Sequence, residues 1–202
     1  MITSYFMKTI LYITFLSFLF TSSASADFKL GVDAYIANDY VTAYKELKPF
    51  AEQGNADAQQ KLGYMYVTGQ GVTQDYKEAV KWYRLAALQG NADAQHNLGI
   101  SYDIGEGVTQ DYKEAAKWFR LAAHQGNVHA HYNLGWLYWQ GKGVIKNYVL
   151  SHMWFNIAAI NGDQEAEKVR AALEIQIKSK EKIARAKELA RECIENNYKN
   201  CI

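Results

Sequence analysis

The sequence has little proline, little cysteine and almost no net charge. A single proline in 202 residues argues against a fold of many strands joined by proline-rich turns, and it favours helices separated by glycine-containing loops. The formal net charge is +1, and the first 26 residues contribute only Lys8, so the rest of the chain is neutral. Bulk charge therefore gives no reason to expect binding to nucleic acid or to an anionic membrane. Disorder of the whole chain is excluded, because 49% of its residues are hydrophobic.

Residues 1–26 contain no acidic side chain, and their pattern is typical of an export signal. Lys8 precedes an apolar run from Ile10 to Phe20, and small residues follow up to Ala26. This order predicts a signal peptide that is cleaved after Ala26. The run is shorter than the roughly 20 apolar residues that span a bilayer. We therefore expect a mature protein in the periplasm or outside the cell, with an uncleaved anchor as the alternative.

The only two cysteines, Cys193 and Cys201, lie close together near the C-terminus. In an oxidising compartment such neighbours are expected to form a structural disulfide. A redox-active pair is the alternative, but a C-x-x-C spacing would be typical of one.

A repeat of 36 residues occupies the middle of the chain. Residues 51–86 and 87–122 align without gaps and are identical at 26 of 36 positions. Residues 123–158 continue the register and share 16 of 36 positions with the second copy. Self-similarity at a fixed period of this length predicts a tandem array of small structural units.

Each copy has the pattern of two helices. In the second copy Asn91 can cap helix A, which is expected to end where Gly105 and Gly107 permit a loop. Asp111 can cap helix B, in which apolar residues recur every three or four positions and form one face. Because only a neighbouring pair of helices can cover that face, the copies are predicted to stack into an all-α solenoid.

The repeated residues of the second copy are Ala94, Leu98, Gly99, Tyr102, Gly105, Gly107, Val108, Asp111, Tyr112, Ala115, Trp118, Phe119, Ala122, Ala123 and Gly126. This pattern resembles the Sel1-like repeat family, a relative of the tetratricopeptide repeats. The resemblance implies a right-handed α/α superhelix that binds other proteins and has no shared catalytic chemistry. For exported bacterial members it implies adaptors of envelope machinery or factors in host interaction.

The flanks of the array differ from the repeats. Helix B of the third copy has lost the charged residues of its sister copies, which predicts that a C-terminal cap packs on it. The expected division of the chain is a signal peptide at 1–26, a shortened N-terminal hairpin at 27–55, repeats at 56–91, 92–127 and 128–163, and capping helices with the disulfide at 164–202.

One side of helix A varies between the copies. Ten positions differ between the first two copies, and six of them lie on one arc of helix A. The unchanged arc must fit the neighbouring repeat, so we predict that the variable arc binds a partner; neutral drift at exposed positions is the alternative. The predicted binding residues are Gln60, Tyr64, Val67, His96, Ile100, Asp103, Tyr132, Trp136 and Trp139.

In the third copy the variable arc carries three aromatic residues, Tyr132, Trp136 and Trp139, at intervals of four and three. Such a stripe suits the capture of apolar side chains of a peptide. The alternative is that the three rings pack under the C-terminal cap.

Motifs for catalysis, metals and cofactors are weak. His129 and His131 point to different sides of a helix, and no H-E-x-x-H motif accompanies them, so no metal site is predicted. No phosphate loop or dinucleotide fingerprint occurs, and no cofactor is expected. Ser179 and Lys182 fit the S-x-x-K motif of β-lactam-binding enzymes, and the resemblance to cysteine-rich members of the family implies such an enzyme as a further, less favoured alternative. The S-D-N and K-T-G motifs are absent. Ser179 is instead expected to cap the last helix.

The sequence thus predicts a non-catalytic, monomeric scaffold that binds a protein or peptide. The 15 tyrosines and 5 tryptophans leave a carbohydrate-binding or peptidoglycan-associated role as the second candidate. Trp82, Trp118 and Trp154 recur at one fixed position, which favours packing between repeats over sugar stacking.

Overall fold

The computed structural model describes residues 27–199 and residue 201. The predicted signal peptide lies outside the described residues. Within them the chain is all-helical and has no strand, which confirms the predicted fold class. No helix in this part of the chain is long and apolar enough to cross a membrane. The helices are α1 (27–36), α2 (Tyr40–Glu52), α3 (Ala56–Thr68), α4 (Tyr76–Leu88), α5 (Ala92–Ile104), α6 (Tyr112–Ala123), α7 (Val128–Gln140), α8 (Tyr148–Ile160), α9 (Gln164–Ile177) and α10 (Lys180–Glu195).

The helix boundaries of the repeats follow from capping residues. In the second repeat the side chain of Asn91 accepts a hydrogen bond from the backbone N–H of Ala94 at 2.8 Å, which begins α5. Gly105 ends α5 with a φ of 82°, a conformation that favours glycine. Asp111 then accepts two backbone N–H groups at the start of α6. Equivalent residues cap the helices of the first and third repeats, so all three units have the same local design.

Helices α3, α5 and α7 are the A helices of the three repeats, and α4, α6 and α8 are the B helices. The repeated Leu-Gly pair lets each A helix lie close to its own B helix. A Cβ atom on Gly99 would come within 2.6 Å of a ring carbon of Phe119. Any side chain at Gly99 would therefore force the two helices apart, which explains why the repeat uses glycine there.

A ladder of side-chain amides runs within and between the repeats. Gln125 Nε2 donates to Gln95 Oε1 at 2.8 Å, and Gln95 Nε2 donates to the carbonyl oxygen of Ala87 at 3.1 Å. Gln89 donates to Gln59 in the same way one repeat earlier, also at 2.8 Å. The ladder supplies partners for buried amide groups and fixes the register of one repeat on the next.

The recurring tryptophans pack between repeats. Trp118 belongs to the same hydrophobic cluster as Tyr83 and Leu98, which lie on α4 and α5 of adjacent units. Trp118 and Trp154 are 8% and 2% exposed. The rings of these two tryptophans are therefore not available for stacking on a sugar.

The last two helices, α9 and α10, both pack on α8. His152 of α8 is fully buried, and its Nε2 atom lies 2.8 Å from Oε1 of Glu174 on α9. The same carboxylate oxygen lies 3.0 Å from Nζ of Lys187 on α10. Burial lowers the pKa of His152, while the contact with His152 lowers the pKa of Glu174. One carboxylate thus connects the two capping helices, α9 and α10, with α8.

Cys193 and Cys201 form a disulfide that closes a short loop after α10. Within this loop the ring of Tyr198 lies 5.1 Å from the ring of His131, centroid to centroid, and the Tyr198 hydroxyl donates to Asn161 Oδ1 at 3.0 Å. His131 occupies the position of Gln59 and Gln95 in the earlier repeats, and its Nε2 atom lies 3.0 Å from the carbonyl oxygen of Ala123. The loop therefore covers the C-terminal end of the amide ladder.

Candidate binding surface on the A helices

The variable arc predicted for helix A is exposed or half-buried at most of its positions, with one exception. The six varying positions of this arc in the first copy are 60, 61, 64, 65, 67 and 68. At position 65 and its equivalents the side chains are buried: Met65, Ser101 and Leu137 are 0%, 6% and 4% exposed. The prediction was wrong at this position because it lies at the border of the invariant arc, where the side chain turns into the core. The remaining exposed and half-buried side of α3, α5 and α7 is called the A-helix surface below.

Cleft 1 lies on the A-helix surface between α3 and α5. It has a volume of about 150 Å³ and contains three predicted binding residues, Tyr64, Val67 and Ile100. Ile104 at the end of α5 also lines it and is 51% exposed. The remaining lining residues are Tyr76, Tyr83, Asn97, Ser101 and Glu106. Because aliphatic and aromatic side chains dominate this lining, cleft 1 suits an apolar side chain.

Cleft 2 lies one repeat further along, between α5 and α7. It has a volume of about 210 Å³ and contains two predicted binding residues, Asp103 and Trp136. Its other lining residues are Phe119, Asn133, Leu137, Gln140 and Lys142. Cleft 2 therefore combines aromatic rings with polar groups, in contrast to cleft 1.

The carboxylate of Asp103 is the main electrostatic feature of cleft 2. Burial raises the pKa of Asp103, and the nearby Lys142 lowers it by a smaller amount. The ammonium of Lys142 does not form an ion pair with Asp103 but lies 4.9 Å from the ring centre of Tyr112. Asp103 is thus a half-buried carboxylate at the edge of a partly aromatic cleft.

His96 lies beside cleft 2 and is held by its neighbours. Its Nε2 atom is 3.1 Å from the amide nitrogen of Asn133, and its ring lies 5.8 Å from Phe119 and 5.7 Å from His129. Burial, aided by the charge that His129 can carry, lowers the pKa of His96 to about 4. The ring is therefore neutral at ordinary pH and can accept the hydrogen bond that the Asn133 amide donates.

The aromatic stripe of the third repeat is half-buried. Trp136 and Trp139 stack in parallel with their ring centres 4.8 Å apart, and Tyr132 lies 5.5 Å from Phe155 of α8. The three rings also join the cluster around Leu173 of α9. The alternative of packing under the cap is therefore confirmed, while Trp136 also lines cleft 2 and the capture of a peptide by the stripe stays a prediction.

Some predicted residues do not reach a cleft, and sequence reasoning missed others. Gln60 is half-buried on α3 and lines neither cleft. Lys142 was missed because it lies in a loop and not in helix A. A signal for it exists in the sequence: the equivalent residues Gln70, Glu106 and Lys142 are neutral, acidic and basic.

Ser179 and His131, which were considered for catalysis and metal binding, make structural contacts. The Ser179 hydroxyl oxygen accepts the backbone N–H of Lys182 at 3.3 Å and caps α10, and the hydroxyl donates to Glu181 at 2.9 Å. Within residues 27–199 and 201 no group of three or more histidine, cysteine, aspartate or glutamate side chains could hold a metal ion. His131 contacts Trp154 and Tyr198 inside the core.

A family model described as the Sel1 repeat matches the chain three times, at residues 56–91, 92–127 and 128–163. A comparison with curated protein sequences found no significant match.

Several solved structures are similar to this chain. One is c5321, a protective antigen present in uropathogenic Escherichia coli strains and displaying an SLR fold: it is 41% identical, with a TM-score of 0.67 over 71% of this chain and 32% of that one. Another is a Sel1 repeat protein from Oxalobacter formigenes, 40% identical, with a TM-score of 0.65 over 69% of this chain and 57% of that one. Helicobacter pylori cysteine rich protein B shares the fold at 20% identity, with a TM-score of 0.52 over 65% of this chain and 94% of that one. This chain thus spans about a third of the first relative and somewhat more than half of the second.

Proposed function

The chain belongs to the Sel1 repeat family, and from that premise we propose that it is a non-catalytic scaffold that holds a segment of a partner protein against its A-helix surface. Sel1 repeats generally serve as protein-interaction modules. The observation that carries the proposal is the pair of neighbouring clefts on this surface, which lie one repeat apart and contain five of the nine predicted binding residues. A row of side-chain pockets along stacked helices suits a peptide in an extended conformation.

The proposed site of action is the periplasm or the space outside the cell. The Cys193–Cys201 disulfide supports this location, because disulfides persist in oxidising compartments and are rare in the cytosol. The signal-like pattern of residues 1–26 supports it independently. In this setting the protein works as an adaptor that brings envelope or secreted proteins together.

Crosslinked capture from an envelope fraction tests the proposal. The variant Ile104→Glu places a charge in cleft 1, and because Ile104 is 51% exposed the fold should tolerate it. Leu88→Glu is the matched control, since Leu88 is 71% exposed at the end of the B helix α4. We expect a partner protein that is captured by the wild type and by Leu88→Glu but lost in Ile104→Glu. Equal capture by all three proteins would contradict binding at this surface.

A glycan remains the second candidate ligand, and the half-buried parallel rings of Trp136 and Trp139 are the observation that favours it. Sedimentation with isolated peptidoglycan distinguishes the two. Binding that is lost in Trp136→Ala and unaffected by Ile104→Glu would favour the glycan, whereas the opposite pattern in the capture experiment favours the protein partner.

A further inference from the structure

We infer that the bound segment carries an arginine or lysine side chain in cleft 2 and an aliphatic side chain in cleft 1, about three residues apart. This inference rests on the proposed function, because it specifies the chemistry of the partner that the A-helix surface binds. It depends on the carboxylate of Asp103, the rings beside it and the spacing of the two clefts.

The carboxylate of Asp103 has no partner among residues 27–199 and 201. None of the ion pairs or side-chain hydrogen bonds of the described chain includes the carboxylate oxygens, whereas the backbone carbonyl oxygen of Asp103 accepts a hydrogen bond from Gln110 at 2.7 Å. Burial of the side chain raises its pKa, so the charged form is incompletely compensated in the free protein. A cation from a partner would supply the missing compensation, whereas an acidic side chain would be repelled.

The other residues of cleft 2 also suit an arginine or lysine side chain. The half-buried ring of Trp136 lines the cleft, and a guanidinium can stack on an indole while it donates to a carboxylate. Asn133 and Gln140 add amide groups, each with an acceptor oxygen. The ammonium of Lys142 lies over the ring of Tyr112 and does not pair with the carboxylate of Asp103.

Cleft 1 selects a different side chain. Val67, Ile100 and Ile104 form the aliphatic part of its lining, and tyrosine rings form the aromatic part. Packed helices lie roughly 8–10 Å apart, and an extended chain advances about 3.3 Å per residue. Side chains that enter neighbouring clefts are therefore about three residues apart, which places one apolar and one basic residue at positions i and i+3.

Blocked hexapeptides that contain leucine and arginine three residues apart, in either order, are suitable probes. Their controls replace arginine by citrulline, which keeps the shape and removes the charge. Binding is followed by calorimetry and by tryptophan fluorescence at millimolar peptide. For at least one order we expect the arginine peptide to bind at least tenfold more tightly than its citrulline control, because hydrogen bonds to charged groups are stronger than neutral ones.

Variants of the protein assign this preference to Asp103. Asp103→Asn should abolish the difference between arginine and citrulline, while Lys142→Gln should increase it by removing a competing cation. Glu114→Gln is the control, since Glu114 lies on helix α6 and pairs with Lys117 at 3.3 Å. Equal binding of both peptides to the wild type, or a preference that survives in Asp103→Asn, would overturn the inference.

The outcome is separable from that of the proposed function. Loss of peptide binding in Ile104→Glu without any preference for arginine would leave the A-helix surface as a binding site and reject only the basic residue. Failure of every probe at millimolar concentration would also reject the inference, while the capture experiment decides the proposed function independently.

Discussion

Replacement of His131 by glutamine should reduce the pH dependence of stability. His131 is fully buried, and burial lowers its pKa to about 4 from the ordinary value of 6.5. The folded protein therefore keeps this ring neutral at pH 5, while the unfolded chain binds a proton there. The contribution of His131 to the free energy of unfolding is fully present above pH 6.5 and is lost as the pH falls from 6.5 towards 4.

The size of the effect follows from the two pKa values. Between pH 8 and pH 5 the lost contribution of His131 to the free energy of unfolding is about 2 kcal/mol, and each unit of pKa shift corresponds to about 1.4 kcal/mol. Glutamine does not titrate, and in the earlier repeats it makes the same contact with the backbone, as Gln95 does with Ala87. It loses the stacking on Trp154 and Tyr198, which we expect to cost about 1 kcal/mol at pH 8.

Urea denaturation at pH 8 and pH 5 measures both the pH-dependent contribution of His131 and the cost of losing its ring contacts. Relative to the wild type, His131→Gln should be less stable at pH 8 and equally or more stable at pH 5. Gln95→Ala is the control, because Gln95 occupies the equivalent position in the second repeat and does not titrate, and it should leave the difference between the two pH values close to that of the wild type. If His131→Gln loses as much stability between pH 8 and pH 5 as the wild type, His131 is not the buried neutral group described above.

Two further predictions concern packing and the disulfide. Gly99→Ala places a Cβ atom 2.6 Å from a ring carbon of Phe119 and should lower the free energy of unfolding by about 2–3 kcal/mol; a change below about 0.5 kcal/mol in chemical denaturation would contradict the close contact. Replacing Cys193 and Cys201 together by serine should lower stability by about 2–3 kcal/mol through loss of the closed loop, and addition of a reductant should then have no further effect on the variant.

The fold could be predicted because the residues that begin and end the helices recur in all three repeats. Asn91, Gly105 and Asp111 each have a conformational role that depends on neighbours a few residues away, and the structure places all three at the expected helix ends. The family assignment rests on the same residues and is confirmed by the three matches to the Sel1 repeat. The sequence shows the Leu-Gly pair as a repeated motif. It does not show why glycine is needed there, because the close approach of a ring from helix B is visible only in the structure.

The candidate surface was less predictable because it depends on contacts between distant parts of the chain. The division of helix A into an unchanged and a variable arc separated buried from exposed positions, except at the border between the arcs, where Met65 is buried. It could not show that the Asp103 carboxylate lacks a partner, since that depends on where the Lys142 side chain lies. It also could not show that Tyr198 covers His131, because the two residues are brought together only by the docking of the C-terminal loop.

The amide ladder restricts how an array of this kind can lengthen during evolution. In an interior unit Gln95 bonds to Gln125 of the same unit and to the backbone of Ala87 in the unit before it, so a duplicated unit inserted there would find the partners it needs. The last unit has His131 and Asn161 at those positions, and both are already in contact with Tyr198. A unit added after this one would have to displace the tyrosine. An interior duplication keeps these contacts, in agreement with the 26 of 36 identities between the first two copies.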